Sequence, residues 1–160
     1  MQLNRQTAPR SNRLQCLDQL LSDLLESYQA LLDQKNITLV EDFDEVKAHF
    51  DVNLMTSAVR ALVENAIQSM PLGGELTSIL IDGDCQWELE ISDTVWPSND
   101  AIVRQMSADN PQLPVILPFP ENEYLRAAHR AAIKLGGQIQ TWNCPLGGTA
   151  HVLVIPKQRF

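Results

Sequence analysis

The chain has 160 residues, 44% of them hydrophobic and 20% charged, which suits one domain with its own core and excludes a disordered segment. Twelve Lys and Arg against 20 Asp and Glu leave a formal charge of −8, which argues against nucleic acid or an anionic membrane as partner. No apolar run approaches the roughly 20 residues of a membrane span, and the first ten residues lack the apolar segment of a signal peptide. The three cysteines, Cys16, Cys85 and Cys144, are odd in number and show no metal spacing. They read as reduced thiols in a cytoplasmic protein.

Residues 1–12 are polar, include Pro9, and read as a flexible tail before a single domain over 13–160. Ser11 or Asn12 caps a helix that starts at Arg13 and ends at Gln34. Within it Leu14, Leu17, Leu21, Leu24, Tyr28 and Leu31 recur at three- and four-residue steps, widened by Leu20, Leu25 and Leu32. Such a seam packs on the domain's own sheet or continues into a dimer or a neighbouring helix, because coiled coils use the same spacing. Residues 37–41 then form a short strand, and 46–50 a second candidate. Asn53 caps the next helix, with Leu54, Ala58, Ala61, Leu62 and Ala66 as its buried stripe. Pro71 and the Gly73-Gly74 pair stop it.

Residues 76–81 are a strand and Asp82-Gly83 a hairpin turn. Cys85, Trp87, Leu89 and Ile91 alternate with Gln86, Glu88 and Glu90, the pattern of a strand with one buried face. A helix over 124–135 runs into Gly136-Gly137. Strands over 138–142 and 150–155 close as a hairpin across Pro145-Leu146-Gly147-Gly148-Thr149. Strands mixed with three longer helices give an α/β (α+β) two-layer sandwich, with about three helices on one face of a mixed sheet.

The polar Asn65 within a helix, the Pro71-Leu72-Gly73-Gly74 stop, the second double glycine and the closing hairpin carry a resemblance. Together they resemble the ATP-binding domain of sensor histidine kinases, the Bergerat-type fold shared with DNA gyrase and the large heat-shock chaperones. The resemblance covers nearly the whole chain from Leu14 onward. In that family a helix bearing Asn-Leu-Leu-x-Asn-Ala lines the ATP cleft, and its second Asn coordinates magnesium. Ala61-Leu62-Val63-Glu64-Asn65-Ala66 lies over that motif, so the resemblance implies a magnesium role for Asn65. The residue alone reads equally as a buried amide satisfied by backbone. The family's first Asn falls on Ala61, which supplies no chemistry, and Glu64 should point elsewhere.

Asp93-Thr94-Val95-Trp96-Pro97 lies over the family's Asp-x-Gly-x-Gly, so Asp93 matches the aspartate that binds adenine. Both glycines are replaced. Val95 disfavours positive φ, and Pro97 fixes φ and lacks an N–H. The family's Gly-x-Gly-Leu-Gly-Leu ends on Leu125, with Asn122 and Tyr124 where glycines would stand. Thr149 matches a Thr that supports the aspartate. From Asp93 to Leu125 five acids accompany the single base Arg104, and five of the nine prolines lie there too. That composition is unfavourable for phosphate and makes a stiff loop instead of a hinged lid.

The resemblance thus implies a degenerate histidine-kinase-like domain, a pseudokinase of bacterial two-component signalling. It would act as a protein-binding or phosphotransfer-adaptor module, with ATP and magnesium binding weak or lost. Its partner would be a response regulator or kinase helices. One alternative is a functional ATP-binding catalytic domain of a sensor histidine kinase. Another is a dimerising interaction domain without a signalling role, a homodimer formed through the first helix. Asn65, Asp93 and Thr149 are the nucleotide-binding candidates, with Asn65 the magnesium ligand if nucleotide binds. No catalytic residue is assigned: the first helix holds no His, and His49, His129 and His151 lack metal or triad spacing and read as ordinary histidines.

Overall fold

The computed structural model describes residues 13–95, 122–144 and 147–157. The tail over 1–12, the segment over 96–121 with Trp96, Pro97 and Arg104, and Pro145-Leu146 of the last turn lie outside the described residues. In chain order the elements are β1 (Gln15–Cys16), α1 (Leu17–Glu26), α2 (Gln29–Gln34), β2 (Ile37–Phe43), β3 (Lys47–Ala48) and α3 (Val52–Gln68). They continue with β4 (Gly74–Asp82), β5 (Gln86–Val95), α4 (Glu123–Lys134), β6 (Gln138–Asn143) and β7 (Thr149–Pro156).

Five strands form one mixed sheet in the order β2-β4-β5-β7-β6. β2 and β4 run parallel, and the other neighbours are antiparallel. The register sets Leu80 beside Leu89 and Leu89 beside Leu153, then Ser78 beside Ile91 and Ile91 beside His151. Strand alternation therefore sends Leu76, Leu80, Leu89, Ile91, Leu153 and Ile155 to one face. There they join Leu21, Leu25, Met55, Leu62 and Ala128 of the helices in a single core. Each fully buried leucine contributes about 1.5–3 kcal/mol relative to exposure. Glu75, Thr77, Glu88 and Glu90 occupy the opposite face, so the helices lie on one side, as the sequence predicts.

The apolar seam at the start does not make one helix. Gln15 and Cys16 pair with β3, and Leu17 N donates to Val46 O at 2.8 Å. α1 stops at Glu26, and the chain bends at Ser27-Tyr28 before α2 begins. Tyr28 turns toward α3 and donates to Glu64 Oε1 at 3.0 Å. Burial and that carboxylate push the Tyr28 hydroxyl up to about 12. Leu17, Leu21, Leu24, Leu25 and Leu32 sit in the domain's own core, which leaves Leu14 and Leu31 as the exposed leucines of the seam.

Two further boundaries differ from expectation. Asp51 caps α3 instead of Asn53, its Oδ1 accepting from Leu54 N at 3.0 Å. The strand expected over 46–50 shrinks to Lys47–Ala48, which among the described residues pairs only with the two-residue β1.

Candidate functional site

α3 carries an apolar stripe that must face the sheet, and Asn65 stands in that stripe, 7% exposed. An amide buried there needs partners. Asn65 Oδ1 accepts from Asn122 Nδ2 at 2.7 Å, and its Nδ2 faces His151 Nε2 at 3.3 Å. His151 lies on β7 between Ile91 and Thr141, and its Nδ1 is 2.9 Å from Thr141 Oγ1. Because the Asn65 amide nitrogen only donates, Nε2 accepts and Nδ1–H donates to Thr141. Burial, reinforced by His129, holds the imidazole down to about 4, so it is neutral at pH 7. Asn122 also accepts at Oδ1 from Leu125 N at 2.8 Å, which caps α4. The result is a closed chain of side chains, Asn122–Asn65–His151–Thr141, tying α4 to α3 and α3 to the sheet.

Asp93 and Thr149 stand opposite each other across β5 and β7, one same-face step beyond Ile91 and His151. That step is about 7 Å along the strands. Thr149 N donates to Asp93 Oδ1 at 3.0 Å, so the support expected from Thr149 comes from its backbone amide. Burial pushes the Asp93 carboxyl up, and backbone N–H groups pull it part of the way back. Asn65, Asp93 and Thr149 are therefore brought to the same end of the sheet, under the meeting of α3 and α4. Glu64 points away from them, toward Tyr28. A cavity of about 340 Å³ opens at the other end of the sheet, between Leu14, Val46, Trp87 and Lys157, and none of the three candidates lines it.

Sequence reasoning missed three members of this cluster. Asn122 carried a signal, since an Asn three residues ahead of the first buried Leu is a helix-cap pattern. His151 carried a weaker one, as the single ionisable residue in the otherwise apolar run of β7. Thr141 carried none.

No family model and no curated protein matches the chain. Among solved structures, the catalytic domain of the histidine kinase ThkA matches with a TM-score of 0.71 at 17% identity, over 91% of this chain and 96% of that one. The chain has the histidine-kinase catalytic-domain fold. The mycobacterial sensor histidine kinase MprB gives a TM-score of 0.67 at 17% identity, over 92% of this chain and 99% of that one. ThkA in complex with the response regulator protein TrrA gives 0.65 at 17%, over 91% of this chain and 42% of that one. The histidine-kinase fold accounts for the sheet order and for helices on a single face.

Proposed function

We propose that residues 13–160 form one histidine-kinase-like domain that serves two-component signalling as a protein-binding or phosphotransfer-adaptor module, with ATP binding weak or lost. The observation that carries this reading is the 2.7 Å hydrogen bond from Asn122 to Asn65. Magnesium is a hard cation that takes oxygen ligands. Here the amide oxygen is already engaged, the Asn122 NH₂ group lies against it, and the next group inward is an imidazole. That donor set does not fit magnesium. Asn122 also stands where the resembling family has a phosphate-holding glycine, and Tyr124 replaces another.

Losing two charge-assisted bonds to phosphate costs about 3–6 kcal/mol, at roughly 1.5–3 kcal/mol each. Since ~1.4 kcal/mol is a factor of ten, affinity falls by about a hundredfold or more. Calorimetry with ATP and ADP, with and without magnesium, tests this. No saturable heat is expected at micromolar nucleotide, because a hundredfold loss carries even a ~10 μM site to ~1 mM. Micromolar binding, or phosphate transfer to an added phosphoacceptor helix, would contradict the reading.

The Asp93–Thr149 pair favours one second reading, a functional ATP-binding catalytic domain. Under it, Asp93→Asn weakens nucleotide binding far more than substitutions at His49 or His129, and equal effects would show that the carried-over site is wrong. A response regulator as partner is supported by the fold and by the complex that ThkA forms with one. A cytoplasmic setting belongs to the same reading; among the described residues no helix is long and apolar enough to cross a membrane. The dimer reading keeps only Leu14 and Leu31 as exposed leucines, because Leu17, Leu21, Leu24, Leu25 and Leu32 are in the domain's own core.

A further inference from the structure

We infer that the exposed face of α4 is the surface on which this domain docks an acidic protein, and, resting on the signalling reading above, that this protein is a response regulator. α4 spans Glu123–Lys134, and Arg126, Arg130, Ile133 and Lys134 are all exposed on it. At helical spacing these four fall within an arc of about 100°, one continuous ridge, with the exposed Glu123 at its N-terminal end. Ile133 is 71% exposed and flanks the cations, an apolar contact at the edge of the basic face.

The ridge is out of character for the chain. The protein carries a net charge of −8, yet three of its 12 basic residues line one face of one helix. Like charges four residues apart repel one another along a helix, and Arg126, Arg130 and Lys134 form such a ladder. Among the described residues the ion pairs are Lys47–Glu45 and Lys157–Asp82, and neither involves α4. The repulsion is therefore not relieved within the described part of the domain. A partner presenting carboxylates beside a small apolar contact would relieve it. The acidic remainder of the protein would repel that partner everywhere else, which steers and orients the encounter.

The test uses the whole chain and purified receiver domains from the organism's own response regulators, with binding followed by biolayer interferometry at low and high salt. The ridge variant is Arg126→Glu/Arg130→Glu/Lys134→Glu. A control of equal net charge is Arg13→Glu/Lys35→Glu/Arg60→Glu, which leaves α4 untouched. One receiver domain should bind, more weakly as salt rises. The ridge variant should lose roughly tenfold to a hundredfold in affinity, and the control less than about threefold. The neutral variant Arg126→Ala/Arg130→Ala/Lys134→Ala, falling between wild type and reversal, guards against misfolding of the triple reversal. If a receiver domain binds and the two reversal variants behave alike, the ridge is not the docking face, while the signalling reading stands. If no receiver domain binds, or the protein retains a random DNA duplex instead, the partner assignment and the inference both fall.

Discussion

Gly148→Ala is expected to destabilise the domain by about 3 kcal/mol or more, lowering Tm by roughly 6–12 °C for a chain of this size. Two causes add. Gly148 has φ near +90°, a backbone conformation that costs an L side chain about 1–2 kcal/mol. A Cβ built there would also run into the Asp93 carbonyl, with the Thr94 backbone close behind. Neither group is free to retreat, because Asp93 pairs with Thr149 on β7 and Thr94 with Glu75 on β4. Gly136 separates the two causes. It too has positive φ, near +82°, but an added Cβ there meets nothing within 4 Å. Gly136→Ala should therefore lose only the conformational part, about 1 kcal/mol. Thermal melts of the two variants side by side check the difference. Equal losses would mean that β5 can yield at Asp93.

Acid should weaken the fold through His151. Its folded-state value is held down to about 4 from an ordinary 6.5, first by burial and then by the charge of His129. Between those limits the unfolded chain binds a proton that the folded one refuses. The stabilisation is therefore complete above about pH 6.5, declines as pH falls, and is gone near pH 4. At about 1.4 kcal/mol per unit, the whole loss is about 3 kcal/mol. His129, also lowered by burial, acts in the same direction. Asp93 and Glu41 act against it, since their carboxyls are raised and take up protons more readily in the folded state. Protonated His151 would also set an N–H against the Asn65 NH₂, breaking the chain of side chains where α3 meets β7. Urea titrations at several pH values check this. The wild type should lose stability from pH 6.5 to 4, whereas His151→Gln should be nearly flat across that window. A variant as steep as the wild type would place the sensitivity elsewhere.

Periodicity made the architecture legible where one pattern held along a whole element. The alternation from Trp87 to Ile91 and the stop at Gly73-Gly74 both marked real elements. It failed at Ser27-Tyr28, because apolar spacing there continues across a bend. A leucine seam looks the same whether the backbone runs on or pauses for Tyr28 to reach Glu64. The α3 cap was displaced for a related reason. Asp51 and Asn53 are both good cap residues, and the choice depends on where the chain leaves β3.

At the site, single residues were legible and their partners were not. Asn65 was conspicuous as a polar residue in an apolar stripe, and Asp93 as an acid at the end of a strand. Their partners are 57 and 56 residues away in sequence, and only the register of β5 against β7 and the placing of α4 bring them together. Asn122 read as a lost glycine. In the fold it caps α4 and donates to Asn65.

The most direct measurement is of the side-chain amides themselves. In ¹⁵N-labelled protein the NH₂ resonances of Asn65 and Asn122, assigned by substitution, are followed while ATP with magnesium is added to about 0.1 mM, well below a ~1 mM dissociation constant. The 2.7 Å bond between them predicts a downfield Asn122 signal, and neither resonance should move in a saturable way. Saturable shifts of both at micromolar nucleotide, with the Asn122 signal returning upfield as the bond breaks, would contradict the closed cleft and restore Asn65 to magnesium.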